Sequence, residues 1–476
     1  MEKRKAPKAL AVAVAAITIA VLLAPVAAAE ASSESYYYIT ISVDDDDGTI
    51  TIDGDYTSIG GATGTWSSAD GSYTGSWGFD EDGYGPFNSF YAAFDPAADN
   101  AMVCILDPDD LTKSITGEDI SGFNYNIMWV LPTVYWYTDD GALVLTNDPD
   151  DDGTAYAHTI DDDVYDYIAI GVYEASTIDV DGETYLASVS GATPATDYNR
   201  STYRSLANSQ TVEDGAAMLW NFYQYELYRY CALIVMGSWD SQSVVGNGNV
   251  YGGVASTTGT LDTAGPYAGT VGTESTDYSD AVKLFIENAW GSVAEMVDGI
   301  IVRGVASYYI DTNYIPLDSD DGDNVSTVTS HLDDSGWITG TSTTTKIWGM
   351  PNESSDDYDE DEGMYDYYTT TGTRDRVLVV GGSAYGSLDD VLMYGLAYFD
   401  ASTYGLNSSS DTSDDDDESE ESGDSVGTRL AFVYSLDDDG IDLVWIVVIV
   451  AAIAIAAVVC VWAYLMHRQK ASCEPE

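Results

Sequence analysis

The chain has 476 residues and carries 80 acidic side chains against 16 basic ones, which gives a formal net charge of -64 at pH 7. Its length is enough for two or three domains with a sizeable core. Its charge repels the phosphates of nucleic acids and of anionic lipids, so neither class of partner is expected.

The first segment, residues 1–29, has the form of a secretory signal peptide. Basic residues from Lys3 to Lys8 precede an apolar run that ends in the small residues Ala27–Ala29, which is the order that such leaders show. The apolar run is long for a signal peptide, so an uncleaved N-terminal anchor stays open as an alternative.

Residues 30–121 predict a small, acidic, β-rich domain. Tyr36–Val43 and Thr49–Ile52 have the composition of two strands, and the acidic run between them predicts a turn. Cys104 lies in an apolar stretch of this segment, as Cys231 does further along the chain. The two thiols would either form one disulfide or stay as buried free cysteines.

The clearest predicted helix runs from Ala216 to Met236, after a start at Thr211–Asp214 that has the form of a capping box. It is apolar on nearly every side, which predicts a buried helix. Glu226 and Arg229 are three residues apart, the spacing at which opposite charges on a helix meet, so we expect them to pair with each other.

The stretch Lys283–Gly299 combines an apolar run with Asn288, Gly291 and Glu295. Their side-chain and backbone oxygens could converge on one hard cation such as calcium, which prefers oxygen ligands. The same residues also suit a tight turn that caps a short helix. Spacing alone favours the turn.

Two segments near the C-terminus differ in polarity. The acidic run 408–424 predicts a solvated excursion within the domain, because strand-like residues follow it at Gly427–Tyr434. Residues 443–466 contain no charge and are long enough to cross a bilayer as a helix. His467–Lys470 follow at once, so the positive-inside rule places the tail 467–476 in the cytoplasm. The predicted localisation is therefore the cell membrane, with a single span and an external ectodomain.

Three motifs occur in the order that one known family shows: Asn288–Met296, Arg376–Ser383 and Gly427–Ala431. Together they resemble the formylglycine-generating-enzyme (sulfatase-modifying factor) domain, a variant of the C-type-lectin fold. Tyr173–Ser176 and Ser188–Pro194 are similar to a non-enzymatic branch with phage tail and cell-surface receptor-binding proteins. The resemblance covers residues 122–436. It implies an α+β fold, with a C-type-lectin-like domain after the small β-domain and one C-terminal transmembrane helix.

The resemblance implies a structural calcium. In that family the ion is held by the residues that match Asn288, Gly291, Val293 and Glu295, all through the oxygens that calcium prefers. The chain departs from the family's pattern at Ser292, Ala294 and Met296, and these departures loosen the packing that orients the site.

The resemblance also implies that the family's enzyme activity is absent. Its copper-binding, catalytic cysteines would fall at Gly386 and Val391, and neither position is cysteine. Because soft thiolates are the ligands that select copper(I), no copper is expected.

His158 and His331 are expected to be surface residues rather than members of a catalytic triad.

The sequence thus predicts a membrane-anchored cell-surface protein with a ligand-binding, adhesin-like or receptor-like ectodomain. The expected ligand is an external protein or carbohydrate. Its binding face would use aromatic side chains, any one of which could instead be core: Trp337, Trp348, Tyr365, Tyr367, Tyr368, Tyr385 and Tyr394. Four sequons predict a glycosylated surface: Asn199, Asn324, Asn352 and Asn407. The alternative is a structural cell-envelope component with an acidic, cation-binding surface.

Overall fold

The computed structural model describes residues 36–44, 49–55, 64–67, 72–75, 78–79, 82–196, 198–269, 278–303, 307–311, 325–329, 335–356, 366–370, 375–385, 395–396, 399–401 and 426–435. These residues form strands β1 to β29, three α-helices and four short 3-10 helices. The 3-10 helices are Pro86–Asn88, Pro96–Ala98, Tyr156–His158 and Thr345–Ile347.

A seven-stranded antiparallel sheet joins early and late parts of the chain. In spatial order its strands are β16 (Gly215–Leu219), β29 (Leu430–Tyr434), β13 (Tyr167–Gly171), β8 (Asn126–Pro132), β5 (Phe90–Asp95), β6 (Ala101–Asp107) and β7 (Asp110–Ser114). In β8, Trp129 and Leu131 enter one core, whereas Met128 and Val130 enter another. Because successive side chains of a strand point to opposite faces, both faces of this sheet are covered. That is why its central strands are apolar along their length.

A second large sheet holds the C-terminal half of the described chain. Its strands, in order, are β22 (Val325–Thr329), β21 (Ser307–Asp311), β20 (Ala294–Arg303), β26 (Asp375–Val380), β27 (Phe399–Ala401), β25 (Tyr367–Thr370), β23 (Gly336–Thr341) and β24 (Pro351–Ser355), and β28 (Val426–Gly427) pairs with β20. The pairing of β20 with β26 shifts register between Val297 and Ile301. Gly299 lies in this irregularity with φ +75°, a conformation that glycine adopts without strain.

The remaining strands form smaller sheets. One has four strands, in the order β2 (Ile50–Asp55), β1 (Tyr38–Val43), β10 (Ala142–Thr146) and β9 (Tyr135–Asp139). The others are β3 (Gly64–Ser67) with β4 (Ser72–Gly75), β11 (Thr159–Ile160) with β12 (Asp163–Val164), β14 (Ser176–Val180) with β15 (Glu183–Ala187), and β17 (Tyr267–Ala268) with β18 (Lys283–Leu284) and β19 (Ile286–Glu287).

The three helices are α1 (Arg200–Asn208), α2 (Phe222–Met236) and α3 (Ser241–Val244). All residues of α2 are buried, as its apolar composition predicts. Its start is later than predicted, because Gly215–Leu219 pair with β29 as a strand and the chain turns only at Asn221. The capping box is formed there, between Asn221 and Gln224, and not at Thr211–Asp214.

The prediction of an α+β fold is wrong. The described residues are mostly β-sheet, with three helices among them. The α+β expectation came from the family resemblance, whereas apolar runs such as β8 and β13 are strands buried on both faces. The predicted boundary at residue 121 falls inside the seven-stranded sheet, because β5, β6 and β7 before it belong to the same sheet as β8 after it. Tyr36–Ser435 form one compact unit.

The predicted membrane localisation is also corrected. No helix in the described part of the chain has both the length and the apolar character needed to cross a bilayer. Other predicted segments, namely the leader 1–29, the acidic excursion 408–424, the span 443–466 and the tail 467–476, lie outside the described residues.

Candidate binding site

A buried ion pair between Glu295 on β20 and Arg429, next to β29, lies at the centre of the site. The carboxylate accepts two hydrogen bonds from the guanidinium, one of them from Nε at 3.0 Å. The other guanidinium hydrogens go to the carbonyls of Gly171, Val172 and Glu287 at 2.9–3.1 Å. All five N–H groups of Arg429 therefore have acceptors, which is what a buried guanidinium requires.

A second buried carboxylate, Glu174, lies beside this pair. It accepts hydrogen bonds from the Val293 N–H at 2.7 Å, the Ser292 hydroxyl at 3.0 Å and the Asn288 amide at 3.4 Å. Burial raises the pKa of Glu174 well above its ordinary value, and the carboxylate of Glu295 raises it further, against the opposing effect of Arg429.

Among the residues predicted to hold calcium, Glu295 and Asn288 have side-chain oxygens that face protein donors. Both carboxylate oxygens of Glu295 are bound to Arg429, and the side-chain oxygen of Asn288 accepts from the Val282 N–H at 3.2 Å. A guanidinium in direct contact with a proposed ligand repels a divalent cation. Within the described residues, no group of three acidic, histidine or cysteine side chains is placed to hold a metal. The donor set as folded does not fit calcium, and Arg429 supplies the positive charge instead.

Ser292 connects this buried cluster to the surface. Its N–H donates to the carbonyl of Asn249 at 2.7 Å, and its carbonyl accepts from the Ala384 N–H at 3.0 Å. Its hydroxyl, besides donating to Glu174, accepts from the Ser256 N–H at 3.0 Å. One residue therefore fixes both the surface loop 249–256 and the turn after β26.

Asn249 organises that loop from within, since its side chain is almost fully buried. Its oxygen accepts from the Gly252 N–H at 3.1 Å. Its amide donates to the Val254 carbonyl at 2.9 Å and to the Ser256 hydroxyl at 3.0 Å. The loop is thus held by several part-buried hydrogen bonds that converge on one buried side chain.

Three apolar side chains stand out of this fixed backbone. Tyr251, Val254 and Tyr385 are 48%, 70% and 49% exposed. They lie together because the Gly253 N–H donates to the Ala384 carbonyl at 2.8 Å, which places the two chain segments side by side. We refer to these three residues as the Tyr251/Tyr385 patch. Exposed apolar groups that cluster on a protein surface often mark an interaction site.

Sequence reasoning found one member of the patch, Tyr385, and missed the other two. The signal it passed over is the glycine-rich run around Tyr251, where Gly252 and Gly253 follow an aromatic residue. Gly253 has φ +68°, a conformation that glycine adopts without strain, and a Cβ at Gly252 would clash with the side-chain oxygen of Asn249.

The other predicted aromatic residues lie elsewhere. Trp348 and Tyr368 are core residues, and the Trp348 indole donates to the Gly141 carbonyl at 3.0 Å. Trp337 and Tyr367 are half-buried on neighbouring strands, with their rings edge to face at 5.7 Å. Tyr365 and Tyr394 lie outside the described residues. The predicted aromatic face is therefore not brought together around Tyr385 in the described structure.

The remaining predicted residues are distributed as follows. Asn199 caps α1 through a 2.8 Å bond from the Thr202 N–H, and Asn352 is half-buried on β24. Asn324, Asn407, His331, Gly386 and Val391 lie outside the described residues. Cys104 and Cys231 are both free thiols.

The prediction that His158 is a surface residue is wrong. The imidazole is completely buried, with Nε2 at 3.3 Å from the Leu131 carbonyl. Burial lowers the pKa of His158 to about 4, so the ring is neutral at pH 7.

Comparison with protein-family models and with curated proteins gives no match to this chain. The resemblance to the sulfatase-modifying-factor domain therefore stays a prediction from the sequence motifs.

Proposed function

We propose that this chain is a binding protein and that the Tyr251/Tyr385 patch is its recognition surface. The observation that carries the proposal is the exposure of three apolar side chains, two on a loop that Asn249 and Ser292 hold and one on the turn after β26, which Ser292 also bonds. Tyrosine offers a large contact area at a low cost in conformational entropy. A loop that is ordered before binding loses little further freedom when the ligand arrives.

The proposed ligand is an external protein or carbohydrate, as the sequence predicts. The net charge of -64 favours partners with a positive surface, because complementary charge speeds association and excludes acidic competitors. The proposal assigns no catalytic step. The two carboxylates of the cluster beneath the loop, Glu174 and Glu295, are buried and bound to protein donors.

A structural protein with a cation-binding surface is the second candidate. The same net charge favours it, since acidic surfaces attract mobile cations that allow copies of the chain to approach. This function predicts ordered self-assembly that depends on cations, whereas the first predicts saturable binding to a defined ligand.

The test is a binding screen of the full chain on arrays of glycans and of purified proteins. We compare the native chain with the double variant Tyr251→Ser/Tyr385→Ser. The control is Phe123→Ser, which removes another exposed aromatic ring that lies outside the patch. Loss of about 2 kcal/mol in the double variant, roughly 30-fold in Kd, is expected from the removal of two aromatic contacts.

Two results would contradict the proposed function. One is a ligand whose affinity falls equally in the patch variant and in Phe123→Ser. The other is the absence of any saturable ligand together with calcium-dependent assembly that both variants retain. The second result would favour the structural candidate.

A further inference from the structure

A cavity of about 430 Å³ lies beside β16, and none of the residues that line it belongs to the Tyr251/Tyr385 patch. All five consecutive residues of Gly215–Leu219 line it. Because side chains alternate between the two faces of a strand, a space that touches five residues in a row lies along the edge of the strand. Among the described strands, β16 pairs with β29 on one side, and it ends the seven-stranded sheet on the other.

The hydrogen-bond pattern shows which backbone groups face the cavity. The Trp220 N–H donates to the Arg429 carbonyl at 2.9 Å, so this opposed pair is a hydrogen-bonded one. In an antiparallel ladder such pairs alternate. The bonds to β29 therefore fall at Met218 and Ala216, and Ala217 and Leu219 turn their N–H and C=O groups to the outer edge.

These outward groups are buried as well as unpaired. Ala217 is 6% exposed and Leu219 is 2% exposed. In the part of the chain that the structure describes, no strand or side chain satisfies their outward N–H and C=O groups. Buried backbone groups are nearly always bonded, so this edge has the capacity to bind a further strand.

One end of the cavity is closed by Asn221 and Asp298, which form a parallel bridge. Asp298 is held in place by Arg204, whose Nε donates to it at 2.6 Å. Asn221 is 6% exposed, and its oxygen accepts from the Gln224 N–H. Its amide nitrogen has no hydrogen-bond partner among the described residues, which leaves one more buried donor in the cavity wall.

The surroundings of the cavity are acidic. Asp161 and Asp162 follow the lining residue Ile160, and Glu213 and Asp214 follow the lining residue Val212. All four acidic residues are exposed, and no lysine or arginine lines the cavity. A partner that carries positive side chains is complementary to this charge.

We propose that this edge binds an extended peptide with lysine or arginine side chains, which adds to the seven-stranded sheet beside β16. Main-chain bonds to Ala217 and Leu219 hold the peptide, as in other cases of strand addition. The acidic side chains at the rim select for basic residues. The site shares no residue with the patch and is independent of the function proposed for it.

The first experiment measures amide hydrogen exchange of the full chain with the capped peptide acetyl-Lys-Val-Lys-Val-amide. At saturation we expect exchange at Ala217 and Leu219 to slow by roughly tenfold or more, because each N–H gains an acceptor. The acidic peptide acetyl-Glu-Val-Glu-Val-amide is the matched probe and is expected to give no protection. Unchanged exchange at both residues with the basic peptide at its solubility limit overturns the proposal, as does equal protection by the acidic one.

The second experiment removes single interactions. Ala217→Pro deletes an outward N–H and no bond to β29, a position where an edge strand tolerates proline. Peptide affinity is expected to fall about threefold to tenfold. The double variant Glu213→Gln/Asp214→Asn should bind the peptide more weakly, and its affinity should depend less on salt concentration. The control is Glu183→Gln, an exposed position on β15, which should leave both the affinity and its salt dependence unchanged.

A peptide with N-methyl groups on both valines tests the same bonds without altering the protein. It is expected to bind at least about tenfold more weakly than its parent, since it lacks the main-chain donors. Equal binding of the methylated peptide overturns the proposal even if Ala217→Pro fails to fold.

Discussion

Two buried ion pairs in this protein are built in opposite ways. Arg429 and Glu295 are 134 residues apart, and the guanidinium also bonds to three backbone carbonyls. Arg229 and Glu226 lie within one turn of α2, at 2.7 Å. The first pair joins β20 to the residue before β29, whereas both members of the second lie on one helix, from which Arg229 makes one further bond to the Gly349 carbonyl at 2.9 Å.

The surroundings of the two pairs differ as much as their sequence separation. Among the described residues, Arg429 has one aromatic ring beside it, that of Trp220 at 5.4 Å, whereas Arg229 has several, with its guanidinium carbon 5.0 Å from the ring centre of Phe399 and 5.7 Å from that of Trp239. Burial raises the pKa of Glu226 to about 7, against the opposing effect of Arg229. Burial raises the pKa of Glu295 as well, against the opposing effect of Arg429. The bonds of Arg429 to Glu295 and to three carbonyls of distant residues make the first pair a cross-link, and that is the property tested for it.

The largest expected effect comes from breaking the cross-link. Arg429→Met should lower the free energy of unfolding by about 3–5 kcal/mol, because it leaves Glu295 buried without a charge partner. Urea unfolding at constant pH measures the loss. The double variant Arg429→Met/Glu295→Met should recover part of it. An equal loss in the single and double variants would show that the uncompensated charge is not the cause.

The helical pair should respond to pH instead. Because the folded pKa of Glu226, about 7, exceeds its ordinary value of 4.5, the folded state holds the proton more tightly between these limits. The stability from this group is complete below pH 4.5 and is lost as the pH rises to about 7. Glu226→Gln should reduce the fall in stability over this range by on the order of 2 kcal/mol.

Urea unfolding at about pH 5 and about pH 8 checks this difference. Glu183→Gln, an exposed carboxyl on β15, is the control and should leave the pH dependence unchanged. A native chain as stable at the higher pH as at the lower one, with Glu226→Gln behaving identically, would be inconsistent with a buried, titrating Glu226.

The smallest effect is expected for a third pair, Arg303 with Asp375. It joins β20 to β26 through two hydrogen bonds, one of them 2.7 Å long, but the arginine side chain is 36% exposed. Solvent screens such a pair, so Arg303→Ala should cost less than about 1 kcal/mol. Unfolding in urea with and without added salt measures it. A loss as large as that of Arg429→Met would mean that burial is not what separates these pairs.

Sequence reasoning succeeded where contacts are local. The spacing of Glu226 and Arg229 predicted their pairing, which the structure confirms. The apolar pattern predicted the buried helix that ends at Met236. The strand at the start of the described chain was placed within a few residues of β1, at Tyr38–Val43. Each of these features depends on neighbours within a few positions of one another.

It failed where distant residues decide the outcome. The family resemblance implies a cation site at Asn288 and Glu295, but whether their oxygens are free depends on Arg429 and Val282 after folding. His158 was assigned to the surface, yet it is buried beside Leu131, 27 residues earlier. Trp348 is of the aromatic type that binding faces use, but it is a core residue. Its indole bonds to the carbonyl of Gly141, 207 residues earlier.

The sequence by itself determined the acidic character of the chain, its buried helix and the strand-forming composition of its apolar runs. These follow from residue type and from spacings of a few residues, which fix local geometry. The tertiary structure alone decided that Arg429 occupies the predicted cation site, that Tyr251 joins Tyr385, and that β16 ends its sheet beside a cavity. Each of these depends on which distant strands pair, and strand pairing is selected by the packing of the whole core rather than by any one segment.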